Sequence, residues 1–345
     1  MSLSATPNRD DTVCNHQKNG YNYALSTEEN WAVCFIDNEV PPMVGKYQRE
    51  RQMMDYTYHK YYSPERQILQ DKLMDLFHDT IVYDTDHNLI CDRPLENWLV
   101  FTAGAMGAGK GRTMHWLAQQ GLFPLSAFVK VDPDSLRELL PETREYIARN
   151  PATAGRLTQK EVGYVAEILS MDALHKGKNV LVDGTLRDAA WYSFYIQSLR
   201  AQFPRLKFAI IHVTASEATV IQRAEKRAER TGRLVPKDVI LETMEQIPNS
   251  LKVLSPFVNF IATFDNEGDE PVLQWSSSNV LSHEMKIGKE VDSRCGHHTT
   301  IYSAASCSAQ TSDFSSCKEK GSRPLHVCDW WDSFRDMWKM ECAIK

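Results

Sequence analysis

At 345 residues the chain can hold one large domain with extensions, or two smaller ones. Hydrophobic residues make up 42% and charged residues 24%, and the net charge of −6 argues against a general binder of long nucleic acid or anionic membrane. No apolar run reaches bilayer length and the N-terminus lacks a basic-then-apolar leader pattern, so the sequence reads as cytoplasmic with no organelle indicated.

Residues 1–60 read as an N-terminal extension, polar and weakly patterned to about residue 45, which predicts loose attachment. A helix is predicted from Ser63, with Ser63 as N-cap and Pro64 at the first helical position. Its apolar residues Ile68, Leu69, Leu73, Leu76 and Phe77 recur at helical spacing and are expected to face the main domain.

From Trp98 onward strand and helix patterns alternate. Buried strands are predicted at Trp98–Thr102, Ala127–Val131, Asn179–Val182, Lys207–Val213 and Phe260–Phe264. Helical patterns cover Lys110–Gln120, Pro133–Leu140, Thr158–Lys176, Asp188–Gln202, Glu217–Arg230 and Lys237–Ile247. The alternation predicts an α/β fold, a mostly parallel sheet with helices on both faces, over 61–275. Ligands on such sheets bind outside the carboxyl ends of the strands.

Residues 276–345 form a tail rich in Ser, Thr, Cys and Lys that reads as largely disordered. Five of the eight cysteines lie there, without a C-x-x-C pair, so they read as reduced and unligated. Near its end, Trp330, Phe334, Met337 and Trp338 share one face of a predicted amphipathic helix, which either docks back on the domain or binds a protein partner.

The chemistry gathers around Gly104-Ala105-Met106-Gly107-Ala108-Gly109-Lys110, between the first strand and a helix. In that context G-x-x-x-x-G-K is a phosphate cradle: loop amides and the helix N-terminus converge on an anion, and Lys110 reaches the outer phosphates. The cofactor-binding run is therefore Gly104–Thr113, for ATP or GTP. Gly111 and Arg112 follow the lysine, and Gly111 stands where a magnesium-ligating Ser or Thr is usual; Thr113 is the nearest helix hydroxyl. This resembles the adenylate kinases and implies Mg²⁺ held mostly by phosphate and water.

Val131-Asp132-Pro133-Asp134 places Asp134 at a helix start facing the phosphate loop, where a carboxylate can take the proton of an attacking hydroxyl. Asp183, at a strand end, has the position of a residue acting on the magnesium shell, and Arg187 can clamp an anionic substrate. Arg223, Arg227 and Arg233 fall in a helix and turn resembling a mobile lid that neutralises transition-state charge; Arg233 with either Arg223 or Arg227 is expected to act.

Taken in order, Ser63-Pro64-Glu65-Arg66-Gln67, the phosphate loop, Asp132–Arg137, Asp183-Gly184-Thr185-Leu186-Arg187 and Gly232-Arg233-Leu234-Val235-Pro236 resemble the zeta-toxin family of P-loop kinases over about 61–265. The family's Glu-Gly-Thr-Leu-Arg is here Asp-Gly-Thr-Leu-Arg. The resemblance implies that Asp134 is the catalytic aspartate and that Glu167, Thr185 and Arg187 position the acceptor. It also implies ATP and Mg²⁺ as cofactors. The bacterial members resemble a kinase acting on the 3′-hydroxyl of UDP-N-acetylglucosamine, and related members act on other nucleotides. The function expected here is ATP-dependent phosphoryl transfer to a hydroxyl of a small nucleotide or nucleotide sugar. Alternatives are a polynucleotide or nucleoside kinase on the same fold, and a non-catalytic nucleotide-dependent binding module.

Overall fold

Side chains along Trp98–Ala103 alternate between two apolar layers, so this strand needs cover on both faces. That cover is what the rest of the chain supplies. The computed structural model describes residues 20–33, 40–77, 83–84, 89–90, 96–278 and 338. Ahead of the sheet lie α1 (Thr27–Trp31), α2 (Gln48–Gln52), α3 (Pro64–Asp75) and a short antiparallel pair, β1 (Tyr83–Asp84) and β2 (Leu89–Ile90). The domain then runs β3 (Trp98–Ala103), α4 (Lys110–Gln119), β4 (Phe128–Val131), α5 (Pro133–Leu139), α6 (Thr143–Arg149), α7 (Pro151–His175) and β5 (Asn179–Val182). It continues through α8 (Ala189–Gln202), β6 (Lys207–Thr214), α9 (Glu217–Thr231), α10 (Lys237–Leu254), β7 (Phe260–Asp265) and β8 (Val272–Ser278).

The six strands are ordered β4-β5-β3-β6-β7-β8, all parallel except β8, which pairs antiparallel with β7 at the edge. Leu99, Phe101, Val129, Val180, Phe208 and Ile210 pack with α7 and α8 on one face. Val100, Leu181, Ala209, Ile211 and Val213 pack with α4 and α9 on the other. All five predicted strands are present, and β8 is an addition. α7 begins seven residues before the predicted Thr158, because Asn150 caps it by accepting from Ala152 N–H and Pro151 opens it. α10 continues through Pro248 to Leu254.

Two expectations about the extension are corrected. α3 starts as predicted, with Ser63 Oγ accepting from Arg66 N–H, but Ile68 and Leu76 are exposed. Its buried side is Arg66, Gln67, Gln70, Asp71, Leu73 and Met74, because buried charges and amides meet partners there. Residues 20–33 are also firmly packed rather than loosely attached. Tyr21 and Tyr23 lie against Tyr146 of α6, and α1 is closed by a capping box between Ser26 and Glu29. Of the predicted terminal helix only Trp338 is among the described residues. Its ring is buried against Trp98, Phe123, Phe128 and Phe260, near the amino ends of the strands.

Candidate phosphate and acceptor site

β3 ends at Ala103, and the chain turns through the glycine-rich loop into α4, whose first residue is Lys110. Gly107 and Gly109 have φ of 98° and 92°, and a Cβ on either would collide, with Val220 O and Asn266 Nδ2 respectively. The loop is thus moulded against α9 and the segment after β7. Asn266, fully buried, donates from Nδ2 to Ala108 O at 2.8 Å. Lys110 Nζ donates to Gly104 O at 3.0 Å, so the ammonium is folded over the cradle.

Around this cradle the structure gathers the carboxyl ends of three strands. Gly104 N–H donates to Thr185 O at 3.2 Å, stitching the loop to the segment after β5. Thr102 Oγ1 donates to Asp183 Oδ1 at 2.7 Å. Between Thr185 and Arg187, Leu186 has φ of 60° while its side chain is fully buried in the core. A non-glycine residue in the left-handed region is strained, and burial of the leucine holds it there. Arg187 is exposed; its Nη1 lies 3.4 Å from Thr243 Oγ1, and its carbonyl accepts from Ser250 Oγ at 2.8 Å, so α10 holds both ends of the residue.

Asp134 is the second residue of α5, behind the N-cap Asp132 and Pro133. Its Oδ1 accepts from Arg137 Nη1, and its Oδ2 from Arg227 Nη2 at 2.7 Å and Arg233 Nη2 at 2.8 Å. Burial pushes the Asp134 pKa up, but Arg233, then Arg137 and Arg227, outweigh it and leave the carboxyl below its usual range. Burial also lowers the Arg233 pKa, against the opposing pull of Asp134. Three guanidiniums facing Asp134, with Glu138 on the same pocket wall, leave positive charge for an anion to neutralise. Arg233 also reaches the loop, with Nη2 4.0 Å from Met106 Sδ.

Of the two lid arginines left open by the sequence, Arg227 stands on Asp134. Arg223 instead donates to Asn266 O at 2.9 Å and Glu267 O at 3.4 Å, on the segment that braces the loop. Arg112 likewise binds the carbonyls of Gly268 and Asp269. Glu167 lies mid-α7, away from the arginines, with Oε1 3.0 Å from His59 Nε2. Arg137 was legible only as an i, i+3 partner of Asp134. Neither Asn266 nor His59 carries a sequence signal.

For a magnesium ion the donors are oxygen atoms, as that ion requires. Asp183 and Thr102 face the same small pocket as Gly111, where an added Cβ would meet open space. Thr113 Oγ1 is buried with no hydrogen-bond partner among the described residues. No group of three or more His, Cys, Asp or Glu forms a cage among the described residues. Asp183 is the one carboxylate lining this pocket, beside Thr102 but also Lys130 and the apolar Met114, Leu125 and Leu181, so an ion there would depend on water and phosphate for most of its ligands.

The zeta toxin family model matches residues 81–271. No curated protein sequence matches the chain. Among solved structures, one from the PezAT chromosomal toxin–antitoxin system of Streptococcus pneumoniae is 18% identical, covers 63% of this chain and 82% of its own, and has a TM-score of 0.48. The AvrRxo1-ORF1:AvrRxo1-ORF2 complex with sulphate ions gives 17%, 73%, 76% and 0.49 in the same order. The same pair with ATP gives 16%, 76%, 81% and 0.45.

Proposed function

The chain belongs to the zeta toxin family, and from that premise we propose that it transfers the γ-phosphoryl group of ATP to a hydroxyl of a small nucleotide or nucleotide sugar. The observation that carries this reading is Arg233, which spans Asp134 and the phosphate loop through Met106. It puts a proton acceptor, an excess of guanidinium charge and a phosphate cradle within one side chain's reach.

In this reading Lys110 and the loop amides hold the β- and γ-phosphates. The acceptor is placed by Thr185, Arg187 and Glu167. Its hydroxyl oxygen attacks the γ-phosphorus, the bond to the β-bridging oxygen breaks, and ADP leaves. The hydroxyl proton passes to Asp134. Asp134 can take it only when Oδ2 is released, and the incoming phosphates compete for the two arginines on that oxygen, Arg227 and Arg233. Once they turn to the transferring group, Asp134 keeps only Arg137 of the three charges that depress its pKa and becomes a better base. Magnesium, when bound beside Asp183, would neutralise phosphate charge there.

The test uses the purified full chain, γ-labelled ATP and a panel of UDP-N-acetylglucosamine, UDP-glucose, uridine, adenosine and a short RNA. Label is expected on a UDP-sugar and not with Asp134→Asn. Label on uridine or adenosine alone, or on the RNA alone, would redirect the reading to a nucleoside or polynucleotide kinase. ATP binding without label on any acceptor would end it.

A further inference from the structure

The partner that holds Glu167 comes from outside the segment covered by the family model. His59 lies in the loop between α2 and α3, with its imidazole 1% exposed against a Glu167 side chain 15% exposed. Its backbone N–H donates to Asp55 O at 2.9 Å, and its ring stands edge-on to Tyr58 at 4.9 Å and Tyr164 at 5.1 Å. The Tyr164 hydroxyl is 2.9 Å from that of Tyr56, whose ring stacks on Tyr61 at 3.9 Å. The imidazole is clamped by aromatics and has one polar contact, Nε2 with Glu167 Oε1 at 3.0 Å.

Nδ1 is buried with no hydrogen-bond partner among the described residues. An imidazole with an orphaned buried nitrogen is a poor space-filler, since phenylalanine would fill the same volume without that desolvation cost. What histidine adds here is the hold on Glu167. The other carboxylate oxygen of Glu167 makes no hydrogen bond among the described residues. It is a free acceptor at the edge of a partly exposed side chain. Nearby, Tyr192 has its pKa raised by burial first, then by Glu167, Asp188 and Asp183. A Cβ on Gly184 would come 3.0 Å from the Tyr192 hydroxyl. Tyr192 therefore lies close to Gly184, the residue before Thr185, and within electrostatic range of Glu167.

We propose that His59 is a positioning residue for the acceptor. It fixes the Glu167 carboxylate by one oxygen, leaving the other aimed at a sugar hydroxyl of a nucleotide or nucleotide sugar. The proposal rests on the acceptor-site reading of Glu167, and it makes the N-terminal extension part of the substrate pocket.

Steady-state kinetics on the full chain test it, with ATP and UDP-N-acetylglucosamine, UDP-glucose, uridine or adenosine as acceptor, for wild type, His59→Phe, His59→Gln and Glu167→Gln. His59→Phe keeps the ring volume and is expected to raise the acceptor KM about tenfold, the worth of one charge-assisted hydrogen bond, with kcat and the ATP KM within about twofold. His59→Gln, whose amide N–H can still reach Oε1, should recover most of that loss. If His59→Phe does not fold, His59→Leu against His59→Gln gives the same contrast. Equal KM values for the apolar and glutamine variants, or a loss confined to kcat, would overturn the positioning role while a raised KM in Glu167→Gln leaves the acceptor site standing. An unchanged KM in Glu167→Gln, or no acceptor turned over by wild type, removes the acceptor reading and this inference with it.

Discussion

The molecule contains two arginine–carboxylate clusters with opposite charge balance. Around Arg66, one guanidinium meets two carboxylates: Nε and Nη2 donate to Glu161, and Nη1 and Nη2 to Glu142. The carboxylate surplus is met by neutral donors, Gln70 Nε2 to Glu161 and Trp31 Nε1 to Glu142. Around Asp134, three guanidiniums meet one carboxylate, and Arg227 is about a third exposed. The first cluster is closed, with the guanidinium and all four carboxylate oxygens bonded internally, and it clips α1 and α3 to α6 and α7. In the second, the open one, Arg137 also binds Thr158 and Gln159 and Glu138 shares the pocket, yet three guanidiniums still outnumber two carboxylates and Arg227 stays partly solvated. Surplus charge that nothing in the fold neutralises marks a place for a ligand, whereas surplus matched by neutral donors marks architecture.

The sharpest way to break this contrast is Asp134→Asn. If the open cluster is chemical, kcat falls roughly 10²- to 10⁴-fold, as for loss of a proton acceptor, while ATP affinity changes little. Stability should fall only modestly, because the side chain is partly solvated. Its depressed pKa gives the sign: the stabilisation is present above the unfolded-state value and is lost as acid protonates the folded carboxyl. A large stability loss with an intact kcat would make the two clusters alike.

Arg66→Met addresses the other side. It strands Glu142 and Glu161 in the interior, so urea unfolding should show a loss of about 3–5 kcal/mol. Burial works to lower the Arg66 pKa, and Glu161 and Glu142 more than reverse it, which is what a closed pair requires. ATP affinity of the folded fraction should be retained. A well-folded Arg66→Met protein would show that the extension is not clipped on through this network.

What the sequence made legible follows the same division. The positions of the phosphate loop, Asp134, Asp183–Arg187 and Arg233 at strand ends, helix starts and turns were readable because turn chemistry and strand ends impose residue types locally. The five parallel strands were readable because each is a mostly apolar run with side chains buried on both faces. α3 was misread because its buried side is polar. Arg66, Gln67 and Gln70 are driven inward by partners on α7, α6 and the extension, none of which periodicity can see. His59 and Asn266 were invisible for a related reason: each acts through one contact made across more than a hundred residues.

His212 on β6 tests a third environment, a half-buried base with no carboxylate bonded to it among the described residues. Burial pushes its pKa down to about 4, and its only hydrogen bond among the described residues is to Thr263 Oγ1 at 3.3 Å. As pH falls from about 6.5 to about 4, the unfolded chain takes up a proton that the folded one refuses, so stability should drop by about 2–3 kcal/mol over that window. Thermal melts of wild type and His212→Gln should diverge there and run parallel above pH 7. Parallel curves throughout would mean His212 is solvated enough to titrate normally.

The smallest effect separates the two arginines on α9. Arg227 bonds Asp134 directly, whereas one helical turn earlier Arg223 holds the carbonyls of Asn266 and Glu267. Asn266 in turn grips Ala108 O in the phosphate loop. In the proposed function Arg223 would then act on the nucleotide through the backbone that shapes its cradle, not on the transferring group. Lysine keeps the charge but loses the fork that spans two carbonyls, so Arg223→Lys should raise the ATP KM about two- to tenfold with kcat nearly unchanged. Arg227→Lys should lower kcat with a smaller change in the ATP KM, because in the proposed reaction Arg227 leaves Asp134 for the transferring phosphoryl group only as charge develops there. Exchange of these two phenotypes would move the open cluster one turn along α9 and make Arg223, not Arg227, the second cation over the γ-phosphate.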